Sequence, residues 1–171
     1  MILNPFRPAA VFCCLIVIAA TAWGQATAPL FTIARSKNAN TVCYEARLAT
    51  NGAFDKPPIH VYWTMWAKDT TGASREELTG IEKRLAFGFT LAKYSPTRCE
   101  IRLAAFRDRL IEIGFHGKSV RAVTTISGKP SYIKKIYVKS GDGMVIPKVT
   151  SATIYGTDTA NGAPVQETIK P

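Results

Sequence analysis

Histidine is scarce in this chain and acids are outnumbered. Only His60 and His116 occur, and there is no CxxC pair, no HExxH helix, no GxSxG elbow and no glycine-rich phosphate or dinucleotide loop. A histidine-based zinc site would have to recruit scattered carboxylates. A lone histidine also lacks the orienting partner that base or nucleophile chemistry requires. The sequence therefore assigns no catalytic residue, metal ligand or cofactor. His60 reads as a strand residue with a satisfied ring nitrogen, and His116 as an exposed turn residue beside Gly117. Ser36-Lys37-Asn38 places a serine beside a lysine but lacks the S-x-x-K spacing of acyl-transfer enzymes. Arg107-Asp108-Arg109 reads as the charged tip of a hairpin.

Long apolar runs are equally rare. One occurs, from Ala9 to Ala22, preceded by Arg7 and followed by Gly24-Gln25-Ala26. That order of basic start, short apolar core and small-x-small site predicts an export signal over residues 1–26, cut after Ala26, with Ala22-Trp23-Gly24 as a competing site. A retained anchor is the other reading, although the run falls short of the roughly 20 residues that span a bilayer. Cys13 and Cys14 follow Val11-Phe12, too bulky for a lipidation box. What remains, residues 27–171, has the length of one domain and no further membrane-spanning stretch, so an exported protein, periplasmic or secreted, is expected.

Positive charge is what the chain has in excess. Removing the leader takes away Arg7 and no acid, leaving 21 basic against 12 acidic residues, a net +9. Lys118, Arg121, Lys129, Lys134, Lys135, Lys139 and Lys148 stand against Asp142 alone, a local +6. A basic face outside the cytoplasm points to an anionic envelope component rather than to nucleic acid. The same lysines would also keep a strand surface soluble and discourage edge pairing. Two cysteines follow the leader, Cys43 and Cys99, and in an oxidising compartment they are expected to form one disulfide. Such a closure would constrain the unfolded chain by roughly 4 kcal/mol.

Short extended runs fill the rest. Val120 to Lys139 reads as a hairpin closed at Ser127-Gly128, rich in Val, Ile, Thr and Tyr. Leu30 to Arg35 and Thr41 to Ala49 flank the polar turn Ser36 to Asn40. In the second run Val42 and Tyr44 share one face, Cys43 and Glu45 the other. Asn51-Gly52 turns the chain, and Asp55-Lys56-Pro57-Pro58 extends that loop. Ile59 to Ala67 follows, with Ile59, Val61, Trp63 and Met65 on one face and His60, Tyr62, Thr64 and Trp66 on the other. Two large faces place this strand in a two-sided core or along a cavity.

Ser74 to Leu85 predicts the one helix, with Ser74 and Glu77 as a capping box, Leu78, Ile81 and Leu85 on one face and Gly88 at the end. The acids Glu76, Glu77 and Glu82 then cap and solvate that helix rather than pair for glycoside hydrolysis. Phe87 to Tyr94, Arg98 to Phe106, Leu110 to Phe115, Lys148 to Asp158 and Val165 to Ile169 complete the strands. Eight to ten short strands with one inserted helix predict a mainly β domain, an antiparallel barrel or sandwich.

These residues carry a family resemblance. Ser36 to Asn40 with Val42-Cys43-Tyr44, then Val61-Tyr62-Trp63, Glu77-Leu78-Thr79, Ile81-Glu82 and Ala86-Phe87-Gly88 resemble the domain-of-unknown-function family numbered 4833. The stretch from Gly128-Lys129-Pro130 to Ile136-Tyr137-Val138 and the closing Tyr155 to Asp158 with Gly162 are similar to its later motifs. The resemblance implies one exported domain and carries no catalytic residues. The expected function is thus a non-enzymatic envelope protein that binds an anionic component or a small apolar ligand. Lys129, Lys134 and Lys135 are the candidates for the first, and His60, Tyr62 and Trp66 for the second. An envelope hydrolase acting near His60 or His116 is the alternative.

Overall fold

The computed structural model describes residues 26–66, 73–141 and 149–170. Among them are eleven strands, all in one sheet. In chain order these are β1 (Ala26–Arg35), β2 (Asn38–Leu48), β3 (Phe54–Trp66) and β4 (Ala73–Glu77), then β5 (Phe89–Tyr94), β6 (Arg98–Leu103), β7 (Phe106–His116), β8 (Ser119–Ile126) and β9 (Lys129–Ser140), and last β10 (Val149–Asp158) and β11 (Pro164–Ile169). A short helix, α1 (Gly80–Glu82), and a π-helical turn at Lys83–Phe87 lie between β4 and β5. No helix among the described residues is long and apolar enough to cross a membrane. Most of the expected leader lies outside the described residues, as do Asp142 and Lys148; Ala26 already pairs with Leu48.

The β8–β9 hairpin closes where the sequence places it. Ser127 (φ 48°) and Gly128 (φ 79°) both adopt the left-handed conformation, which a two-residue connection needs to match the twist of its strands. On β8, Val120, Ala122, Thr124 and Ile126 turn inward at period two. On β9 the alternation starts with Ser131 and Ile133, then breaks: the next buried residue is Ile136. Lys134 is an extra residue there, since Tyr155 pairs with Lys135 and Gly156 with Ile133. A one-residue bulge of this kind bends a strand and exchanges its faces.

One edge of β9 runs along β10 from Ser131 to Ser140. The opposite edge forks. Lys129 to Tyr132 pair with β8, and Lys135 to Val138 pair in parallel with β1. The order β4-β3-β2-β1-β9-β8-β7-β6-β5 results, with β10 and β11 branching from β9. The sheet curls into a half-barrel. Its inner face collects Ile33, Val42, Tyr44, Val61 and Trp63 from one side and Ile101, Ile111, Ile113 and Ala122 from the other. Burying such side chains contributes about 1.5–3 kcal/mol each. The wings also touch: Phe54 N donates to Pro96 O at 2.8 Å, and the Tyr94 hydroxyl to Phe54 O at 2.7 Å. The fork tip and β11 are tied to β7 by Arg109, which holds Glu167 through both carboxylate oxygens at 2.6 and 3.0 Å.

Four expectations need correction. The helix does not begin at Ser74; residues 73–77 form β4, in register with β3 from Tyr62↔Glu77 to Trp66↔Ala73. The pattern that caps a helix occurs twice in this stretch, and the working copy is Thr79 with Glu82, where Glu82 accepts from the Thr79 N–H at 2.9 Å. Leu78 is buried, but Ile81 and Leu85 are 64% and 60% exposed, so the apolar spacing does not mark a core face. The edge of β3 wins residues 73–77 because a ladder satisfies their backbone groups without needing an apolar face. Gly88 does end the helical turn, in an extended conformation (φ −73°); its lack of a Cβ is what counts, because a Cβ would lie 2.0 Å from Lys83 O.

Asp55 to Pro58 belong to β3 rather than to a loop. Ala46 pairs with Ile59 and Leu48 with Phe54, so the two prolines sit in a ladder irregularity opposite Arg47, where no N–H is demanded of them. The Lys56–Pro57 peptide bond is cis. Arg107-Asp108-Arg109 likewise lie within β7, and the β6–β7 hairpin turns at Ala104-Ala105.

The disulfide is absent, because Cys43 and Cys99 are both free. Cys43 lies between the inward-facing Val42 and Tyr44 and directs its Sγ to Thr64 Oγ1 at 3.2 Å. Cys99 is fully buried on β6, and β1, β9, β8 and β7 intervene between the two strands. Burial pushes its thiol up to about 11.

The close packing at the β9 bulge can be tested at Gly156. A Cβ there would lie 2.4 Å from Tyr132 O and 2.7 Å from Ile126 Cδ1. Gly156→Ala should destabilise the domain by about 1–3 kcal/mol in urea unfolding, since a backbone carbonyl cannot step aside. A variant within about 0.5 kcal/mol of the parent would show that the bulge has slack.

Candidate ligand groove

The outward face of β2, β3 and β4 carries a polar cluster that the ladder itself assembles. Cys43 pairs with Tyr62, Glu45 with His60, and Tyr62 with Glu77. Glu45 Oε1 accepts from the Tyr62 hydroxyl at 2.6 Å and from Arg75 Nη2 at 2.6 Å. Arg75 also donates to the Tyr62 hydroxyl, and its guanidinium lies 4.0 Å from the Tyr62 ring centroid. A planar cation over an aromatic face gains both stacking and charge attraction. Tyr62 is only 5% exposed under this cover. Burial first, and the Glu45 carboxylate second, push its hydroxyl well above the usual phenol range.

Beside this cluster lies a groove of about 210 Å³ that crosses four neighbouring strands. β1 supplies Pro29, Leu30, Phe31 and Thr32; β2 supplies Cys43, Tyr44 and Glu45. Tyr62 of β3 and Lys134 of β9 complete it. Its position has a backbone cause. Leu30 is an extra residue in β1, since Pro29 pairs with Glu45 and Phe31 with Tyr44. Lys134 is the extra residue in β9, and with Ile133 it falls at the fork, where the register to β8 has ended at Tyr132 and that to β1 starts at Lys135. Two bulges on adjoining strands open the surface at the same level.

Of the candidate residues, Tyr62 and Lys134 come together in this groove. Lys135 lies in a neighbouring, more open depression with Tyr137 and Tyr155, its Nζ 5.4 Å from the Tyr137 ring. Lys129 is at the hairpin tip, 3.9 Å from Asp158. Trp66 is 55% exposed at the end of β3, and its backbone N–H donates to Asn40 Oδ1 at 3.1 Å. His60 Nε2 meets Glu77 Oε1 at 2.6 Å, with Lys83 3.6 Å from the other oxygen. The His60 hydrogen bond, and after it the Lys83 charge, hold the Glu77 carboxyl below its ordinary value. Of His60, Tyr62 and Trp66, Tyr62 lines the groove. His116 Nδ1 lies 3.3 Å from the Tyr132 hydroxyl on the exposed end of β7. Among the described residues no three His, Cys, Asp or Glu side chains gather to hold a metal ion.

Reading the sequence did not single out Glu45, Arg75 or Leu30. Glu45 was legible as the outward partner of Cys43; Arg75 was hidden by its assignment to the helix.

The model of a family described as a domain of unknown function, DUF4833, matches residues 31–168. The chain belongs to this family. No curated protein and no solved structure matches it. The DUF4833 match runs from β1 to β11 and takes in every groove residue except Pro29 and Leu30.

The two covered tyrosines of this DUF4833 domain give a pH test. Burial raises Tyr44 far above its ordinary value of 10.0, as burial and Glu45 raise Tyr62. The folded state keeps protons that the unfolded chain releases, so the stability they lend is complete below pH 10.0 and is lost as pH rises further. Tyrosinate absorbance should therefore show both ionising only together with alkaline unfolding, and Tyr62→Phe should shrink that step. A step of unchanged size in Tyr62→Phe would mean that Tyr62 titrates freely in the folded protein.

Proposed function

We propose that this chain is an exported, non-enzymatic binding domain of the cell envelope that takes a small amphipathic anion in the Leu30–Lys134 groove. The observation that carries this reading is the meeting of Tyr62, from the wing that β1 carries, with Lys134 of β9, in one groove lined by paired bulges. Lys134 supplies a cation, while Pro29 and Leu30 supply an apolar wall. A concave, mainly apolar surface with one charged anchor suits a ligand that has an acid at one end and a hydrocarbon body. The other lysines of β9 extend the positive field around it and would favour approach of anions. The half-barrel serves as a rigid support, since its core is filled by side chains and two core residues, Phe31 and Tyr44, also line the groove.

The envelope-hydrolase alternative draws on the short His60–Glu77 contact, which gives a histidine its carboxylate partner. That pair sits on open surface, with the Glu77 side chain 64% exposed, and the groove offers no histidine to a bound substrate. Binding without chemistry is the reading we retain.

Anilinonaphthalene sulfonate, an apolar fluorescent anion, provides the test. It should bind the folded chain, bind less as salt rises through the range where the Debye length falls to a few Å, and bind on the order of tenfold more weakly to Lys134→Glu. Lys129→Glu, at the far end of β9, should change little. Binding indifferent to both salt and Lys134→Glu would reject the groove as an anion site.

A further inference from the structure

The face that carries the groove continues past it, over β9, β10 and β11. Lys135 pairs with Thr32 of β1 on one side and with Tyr155 of β10 on the other, and Tyr155 pairs with Gln166 of β11. Two residues further along β9 the next row runs through Ala34, Tyr137, Thr153 and Thr168. Both rows face outward, because Ile136 between Lys135 and Tyr137, and Ile154 between Thr153 and Tyr155, are buried. Where the rows meet lies an open depression of about 320 Å³, lined by Lys135, Tyr137 and Tyr155. Tyr155 is 38% exposed there, and beside Tyr137 the hydroxyls of Thr153 and Thr168 meet at 2.9 Å. β1, β9, β10 and β11 hold two acids, and neither is on this face. Asp158 is buried, and Glu167, between the outward Gln166 and Thr168, is held by Arg109.

The chemistry of this strip selects a ligand. An acid-free basic surface attracts negative charge. Tyrosine rings offer a flat apolar contact with a polar tip, and the Thr153, Thr168 and Gln166 side chains offer donors and acceptors across two strands. The depression is too open to enclose a small molecule, whose sites bury most of the ligand. An extended ligand lying over several strands suits it better. We infer that this strip binds a segment of an acidic polysaccharide, with a sugar ring stacked on Tyr155, its carboxylate paired with Lys135 and its hydroxyls turned to Thr153 and Gln166. A sugar acid joins a C–H face, a hydroxyl rim and a negative charge in one unit, which a bare phosphate group does not. Single-stranded nucleic acid shares the stacking and the charge, but it calls for a basic groove that tracks its backbone. Here one lysine lines the depression, and neutral hydrogen-bonding groups flank it on β10 and β11. The site stands apart from the Leu30–Lys134 groove, with no lining residue in common.

Calorimetric titration of the full chain with four polymers separates these cases: polygalacturonate, neutral dextran, polyglutamate and oligodeoxythymidylate. Polygalacturonate should bind on the order of tenfold more tightly per unit than dextran, which lacks the charge, and than polyglutamate, which lacks the rings. Tyr155→Ala should weaken polygalacturonate binding on the order of tenfold, the loss of one stacked ring. Tyr155→Phe keeps the ring and should bind as the parent does, which separates lost stacking from lost folding. Lys135→Gln should weaken the binding and flatten its dependence on salt. Polyglutamate binding as tightly as polygalacturonate would reduce the strip to a general positive field and overturn the sugar site. Tighter binding of oligodeoxythymidylate would assign the strip to nucleic acid instead. Binding of no polymer, or an equal loss in Tyr155→Phe and Tyr155→Ala, would overturn the stacking contact and the proposal with it.

Discussion

The backbone of a strand must have both of its edges satisfied or exposed by design, and β9 meets that demand with three other strands. Its β10 edge is paired along most of the strand, while its opposite edge is shared, first by β8 and then by β1. Everything else hangs from that division. β1 carries β2, β3 and β4 on one side, β8 carries β7, β6 and β5 on the other, and the curl brings their inner faces together as one core. Among the described residues, the parallel β1–β9 contact is the one ladder that joins the wings, between the first strand and the ninth. Pairing across so long a stretch of chain carries a large loop-closure cost, so the core behind the fork has to supply the compensating burial.

What the sequence revealed and what it hid divide along the same line. The β8–β9 hairpin was legible because turn chemistry is local: Ser127 and Gly128 need nothing beyond their neighbours to adopt positive φ. The inward face of β3 was legible because Ile59, Val61 and Trp63 repeat at period two. The helix was misplaced because Ser74–Glu77 and Thr79–Glu82 match the same capping pattern, and only the open edge of β3 decides between them. The disulfide failed for a related reason. Cysteine count and compartment say nothing of strand order, and four strands stand between Cys43 and Cys99.

The groove was half legible. Tyr62 and Lys134 could each be chosen as candidates, on grounds of an outward aromatic and a basic run, yet nothing local says that they meet. The bulges that bring them together did leave a trace. The buried residues Ile133 and Ile136 are three apart rather than two, which no regular strand allows when both face one core. A phase break of that sort in an otherwise alternating strand marks an inserted residue, and here the inserted residue is a lysine. The companion bulge at Leu30 lies in a stretch too short and too apolar for any phase to be read.

The location of the groove separates what holds the fold from what could bind. Leu30 and Lys134 are the residues the ladder does not count, so their side chains are free of the alternation that commits their neighbours to the core. Glu45 and Tyr62 are in register but face outward, and the Arg75 guanidinium covers them from a strand whose residues are otherwise exposed. Such a cluster contributes little to a core that is already filled, and a buried carboxylate with one oxygen unmet detracts from stability. Of the three buried acids among the described residues, Glu45, Glu100 and Asp158, Glu45 is the one that lines the groove, beside the point where β8 and β1 part along β9.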